Sequence, residues 1–111
     1  MLPTVLNPAT SKYAWSLIAR ATLPKRPAAE RVADFHEIYS NFDEATVREQ
    51  ASRCIQCPNP LCMQACPLSN RIPEWIALTA QGRFIEAAAL SRSTSNLPEI
   101  CGRICPQERL C

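Results

Sequence analysis

The sequence predicts an all-α protein: a small bundle of about five helices carrying two cysteine-rich loops. Two observations predict it. Runs of β-branched residues alternating with period two are missing, while Ala, Leu, Glu, Arg and Gln recur at helical spacing. Ten Pro and two Gly then cut the 111 residues into short helical pieces.

Taken in order, residues 1–10, with Pro3, Asn7 and Pro8, read as an extended lead-in. A short helix near 11–22 turns Trp15, Ile18 and either Tyr13 or Thr22 to one side before Pro24 ends it. Residues 1–24 thus precede a single domain over 25–111. Pro27 suits the first turn of a second helix, in which Val32, Phe35, Ile38 and Tyr39 form an apolar stripe expected to pack in the core. Asp43 reads as the N-cap of a third helix over about 44–55. Cys57–Pro67 holds three prolines in eleven residues and reads as a bent, irregular loop. Asn70 or Ser69 then caps a helix through about Gln81, with Ile72, Trp75, Ile76 and Thr79 on one face and Gly82 as a left-handed C-cap. A fifth helix over about 84–91, starting at Phe84, completes an αα-hairpin, and 93–111 returns to loop.

Composition removes several functions. With only Gly82 and Gly102 present, no Gly-rich phosphate cradle of the Rossmann or P-loop type can form. No stretch approaches the roughly 20 apolar residues of a membrane span. Residues 1–31 carry five basic side chains against one acidic and residues 32–111 seven against nine, a mild asymmetry without the basic and aromatic interleaving of nucleic-acid binders. No nucleophile–base pair or carboxylate dyad is visible, so no catalysis is expected of these residues. His36, the one histidine, sits beside Phe35 and reads as a core-edge or surface residue; Trp15 and Trp75 read as packing residues.

Seven cysteines leave three readings: disulfides, a metal site or inert burial. The count is odd, and Lys12, Arg20, Lys25 and Arg26 interrupt any secretory apolar run, so the expected compartment is reducing and cytoplasmic. The runs are Cys54-x2-Cys57-x4-Cys62-x3-Cys66-Pro67 and Cys101-x3-Cys105-Pro106-x4-Cys111. Bacterial ferredoxins use C-x2-C-x2-C-x3-C-Pro, whose last Cys reaches the second cluster. By that pattern Cys54, Cys57 and Cys62 serve one iron–sulfur cluster, while Cys66 joins Cys105 and Cys111 on another. Zinc stays as the alternative of another class, a zinc-stabilised helical interaction module, although structural zinc favours two Cys-x2-Cys knuckles and only one is present. Cys101 is a seventh candidate, either a fourth ligand or a small thiol packed beside a cluster. Arg53 and Arg103 flank ligands, where their charge would raise a cluster's potential unless each only caps a helix end.

These residues, together with Lys25-Arg26-Pro27, Arg31, Asp34-Phe35, Gln50-Ala51-Ser52-Arg53-Cys54-Ile55-Gln56-Cys57, Pro60-x-Cys62, Asn70-x-Ile72-Pro73-x-Trp75 and Pro98-Glu99-x-Cys101-Gly102-Arg103, resemble the N-terminal α-helical ferredoxin domain of the glutamate synthase small (β) subunit; the related domain of dihydropyrimidine dehydrogenase is similar. The resemblance covers about residues 22–111. It implies two 4Fe-4S clusters, followed in the full-length protein by a FAD- and NADPH-binding module that passes electrons through the clusters to an FMN-containing large catalytic subunit. Dihydropyrimidine dehydrogenase or a related oxidoreductase is the alternative recipient. It further implies one cluster on Cys54, Cys57 and Cys62 and another on Cys66, Cys105 and Cys111, each completed by a residue beyond Cys111. The chain then reads as part of a longer subunit, truncated at its C-terminal end, that alone binds clusters incompletely or borrows Cys101.

Overall fold

The computed structural model describes residues 13–111; the lead-in expected at 1–10 lies outside them. Among the described residues the chain forms eight short helices: α1 (Ala14–Leu17), α2 (Ala28–Arg31), α3 (Glu44–Ala51), α4 (Leu61–Ala65), α5 (Ile72–Ala80), α6 (Phe84–Arg92), α7 (Pro98–Ile104) and α8 (Gln107–Leu110). No strand occurs among these residues, only an isolated antiparallel bridge between Lys25 and Tyr39. The all-α expectation holds, with more and shorter helices than the five read from the sequence.

The additional helices lie in the two cysteine loops, and prolines explain them. Pro60 and Pro106 occupy the N-cap positions of α4 and α8, and Pro98 opens α7. A proline has no N–H to lose at a helix start and its φ is already set for one. Residues that read as breakers are therefore initiators.

The second helix departs most from expectation. It stops at Arg31, and its stripe is not core: Val32 is 85% and Phe35 108% exposed, and Ile38 and Tyr39 are exposed as well. Polar tethers close this segment into a loop instead. Arg26 N donates to Ile38 O at 2.8 Å and Ser40 N to Pro24 O at 2.9 Å, while the Arg26 guanidinium grips both oxygens of Asp34 at 3.0 and 2.6 Å. Once its backbone turns at 32–34 the helical register is lost, so apolar residues at i, i+3, i+6 and i+7 no longer share a face.

α5 packs on both α6 and α3, and α4 rests on α5. Asp43 caps α3 as expected, its Oδ1 accepting from Thr46 N at 2.8 Å. α3 ends at Ala51 rather than near 55, because Ser52, Arg53 and Cys54 each donate to the carbonyl three residues back and tighten the chain into turns. The predicted cap of α5 is corrected: Arg71 is the N-cap and no side chain caps it. Asn70 is buried and used across the hairpin instead. Its Oδ1 accepts from Trp75 Nε1 at 2.7 Å, and its Nδ2 donates to Ser91 O at 2.9 Å and Thr94 Oγ1 at 2.8 Å.

Gly82 ends α5 as expected, at φ +78°. Gly82 N donates to Thr79 O and Arg83 N to Leu78 O, each at 2.9 Å, the double closure of a left-handed helix end. Arg48 of α3 lays its guanidinium over the same end, donating from Nε to Ala80 O at 3.4 Å. A Cβ on Gly82 would meet that guanidinium at 3.4 Å. Gly82→Ala is expected to cost ~1–2 kcal/mol, chiefly from the positive φ, measured as a fall in the urea midpoint at unchanged slope.

Very little side chain is fully buried. Among the described residues the buried apolar side chains are Ala14, Pro73, Ala80 and Ala87. Trp75 and Ile76 are half-buried on the hairpin, Phe84 lies at its edge, and Trp15, expected to pack, is 57% exposed. The radius of gyration, 15.3 Å, exceeds the ~13 Å of a compact domain this long. Charge pairs on the surface do not replace a core. They do set the acid limit: hydrogen bonds from Arg26, Arg103 and the Thr46 side chain hold Asp34, Glu37 and Asp43 respectively below their ordinary ranges. Carboxylates depressed in the folded state stabilise it above their unfolded pKa and lose that effect as pH falls through the folded one. Stability should therefore be flat above about pH 5 and fall below about pH 4, as read by circular dichroism.

Candidate metal centre

All seven cysteines are free thiols, which gives a soft donor set suited to iron–sulfur clusters. Cys54 leaves the turn after α3 half-buried, and Cys57 follows it exposed. Between them Gln56 adopts a left-handed backbone, φ +52°, and its Nε2 donates to Cys54 Sγ at 3.3 Å and to Pro73 O at 2.8 Å.

The two Cys-x3-Cys-Pro segments have one geometry. In each, the first cysteine stands on a short helix, Cys62 on α4 and Cys101 on α7. The second is the C-cap, Cys66 or Cys105, with ψ 122° in both cases, as the following proline requires. Each C-cap N–H donates to the carbonyl of the cysteine one turn earlier, at 3.2 Å in α4 and 2.9 Å in α7. The two Cys-Pro dipeptides thus end their helices in the same way.

Burial pushes the Cys62 thiol up, against amide hydrogen bonds from Met63 and its own backbone, and the charges of Cys54 and Cys111 add to the rise. Cys111, assigned by resemblance with Cys66 and Cys105, thus acts on Cys62 of the first run. Cys101 is exposed, and its sulfur takes a 3.8 Å hydrogen bond with the hydroxyl of buried Ser95. Among the described residues no three His, Cys, Asp or Glu side chains gather as ligands of a single ion. Cluster thiolates do not need to, since each binds a different iron.

The flanking charges are taken up locally. Arg53 donates to Trp15 O at 3.3 Å, capping the end of α1. Arg103 pairs with Glu37 at 2.6 Å and donates to Glu99 O at 3.1 Å, tying α7 to the 32–39 loop. His36 is on the surface. Gln56, present in the motif, and Ser95 touch sulfur directly, and sequence reasoning gave neither a role. For Gln56 the available signal was an amide side chain inside Cys-x2-Cys.

The family profile described as dihydropyrimidine dehydrogenase domain II, 4Fe-4S cluster, matches residues 31–111. The chain is similar to the glutamate synthase [NADPH] small chain of Azospirillum brasilense, 59% identical over 87 residues, 78% of this chain and 18% of the relative. It is also similar to that of Escherichia coli (strain K12), 48% identical over 99 residues, 89% and 21%. The putative oxidoreductase UacF of E. coli is 43% identical over 106 residues, 95% and 17%. The chain thus spans about a fifth of the length of the curated relatives it matches. Among the described residues no helix is long and apolar enough to cross a membrane. With its paired Cys-Pro helices and a profile match over most of its length, the chain belongs to the family of electron-transferring 4Fe-4S cluster domains named for domain II of dihydropyrimidine dehydrogenase.

Proposed function

We propose that this domain carries electrons within an NADPH-dependent oxidoreductase of the glutamate synthase small-chain type, with Cys54, Cys57 and Cys62 serving one 4Fe-4S cluster and Cys66, Cys105 and Cys111 another. The observation that carries this is the repeated geometry of α4 and α7, each bearing one cysteine and ending on a half-buried Cys-Pro. When bound, such clusters supply one-electron transfer. The chain's own part is to present thiolates from rigid short helices, to donate to them from amides, and to limit water around the half-buried Cys54, Cys62, Cys66 and Cys105.

On this reading a FAD- and NADPH-binding module belongs to the same full-length protein, which works in the cytoplasm, and the electrons leave for an FMN-containing large subunit. The domain occupies 25–111, and residues 1–24 lead into it. The identity of the relatives, glutamate synthase small chains at 59% and 48%, favours that enzyme over dihydropyrimidine dehydrogenase as the recipient. The test is elemental: protein purified without air should contain iron and acid-labile sulfide in equal amounts, with visible absorbance that bleaches on reduction. Zinc without iron or sulfide would replace this reading with a zinc-stabilised module.

A further inference from the structure

We infer that Gln56 is a positioning residue for the Cys54 thiolate, and that its side-chain amide sets the reduction potential of the cluster Cys54 serves. The inference rests on the reading of Cys54 as a ligand and adds a residue that the cysteine pattern does not contain.

Three features carry it. First, one amide NH2 is divided between two acceptors, Cys54 Sγ at 3.3 Å and Pro73 O at 2.8 Å, using both of its donors. The opposite amide orientation would set Oε1 against a carbonyl oxygen and a sulfur, acceptor against acceptors, so the bonding network fixes which end faces the thiolate. Second, Pro73 is a buried residue in the first turn of α5, the helix that packs on both α3 and α6. The amide is therefore clamped between the cysteine loop and the best-packed part of the fold. Third, Gln56 holds a left-handed backbone at φ +52°, a conformation unfavourable for a residue with a side chain. Glycine would remove that cost but has no amide to reach back to residue 54.

A hydrogen bond to a ligand sulfur stabilises the more negative, reduced state of a cluster more than the oxidised one, because the sulfur carries more charge when the electron is present. Loss of the donor should therefore lower the potential. Arg53, the adjacent charged side chain, is turned to Trp15 O, which leaves the uncharged Gln56 amide as the side chain recorded on Cys54 Sγ.

The test is Gln56→Met, which keeps the length of the side chain and removes both donors, in protein purified without air with its clusters in place. Iron and sulfide should equal the wild-type values, while one of the cluster midpoints falls by a tenfold change in the reduction equilibrium, about 59 mV for a one-electron couple. Retained clusters with an unchanged midpoint overturn the inference. Should the variant lose the cluster, wild-type protein labelled with 15N in the glutamine side-chain amide decides. Hyperfine coupling of one amide nitrogen to the reduced cluster supports the role, and its absence refutes it. Wild-type protein without iron would fail the ligand reading separately, before Gln56 is changed.

Discussion

Asn70→Ala should lower stability by ~3 kcal/mol and the melting temperature by roughly 10–20 °C. Asn70 is 8% exposed and makes three hydrogen bonds that join the start of α5 to the end of α6 and the turn after it. Alanine leaves the part-buried Trp75 indole N–H and Ser91 carbonyl without these partners, and each such group costs ~1–3 kcal/mol. Asn70→Asp is the informative companion. It keeps the acceptor for Trp75 and loses the donor to Ser91 O, so it should fall between wild type and alanine at neutral pH. Urea unfolding of the cluster-free and the loaded protein checks both, and a loss below ~1 kcal/mol in the alanine variant would show that the hairpin does not depend on this network.

Cys57→Ala and Cys66→Ala should each remove the iron and sulfide of one cluster, because a cubane deprived of a thiolate loses a bond to one iron and with it much of the folding free energy that binding supplies. Cys101→Ala should leave both contents unchanged, its sulfur being engaged by Ser95. Iron, sulfide and zinc measured on the three variants side by side read this directly. Equal loss in Cys101→Ala would place Cys101 among the ligands.

Much of this was legible in the chain itself. The cysteine spacing carries the candidate site, and the Asp43 cap, the α5–α6 hairpin and the Gly82 turn follow from local rules that hold whatever the rest of the molecule does. The misreadings share a cause. The stripe Val32, Phe35, Ile38 and Tyr39 has helical spacing, but the Arg26–Asp34 grip that breaks its helix joins residues eight apart. Asn70 has the composition of a cap, but its partners at Ser91 and Thr94 are brought to it only by the hairpin. Pro60, Pro98 and Pro106 are ambiguous in a sequence, since the same residue ends one helix and starts the next. The role of Gln56 escaped for a related reason: it depends on Pro73, seventeen residues on.

The three buried alanines have a consequence for the life of the protein. With so little apolar surface withdrawn from water among the described residues, a cluster-free chain should be held closed less firmly than a loaded one. Protease should then cut the stripped chain within the 54–66 and 101–111 stretches much faster than the loaded one.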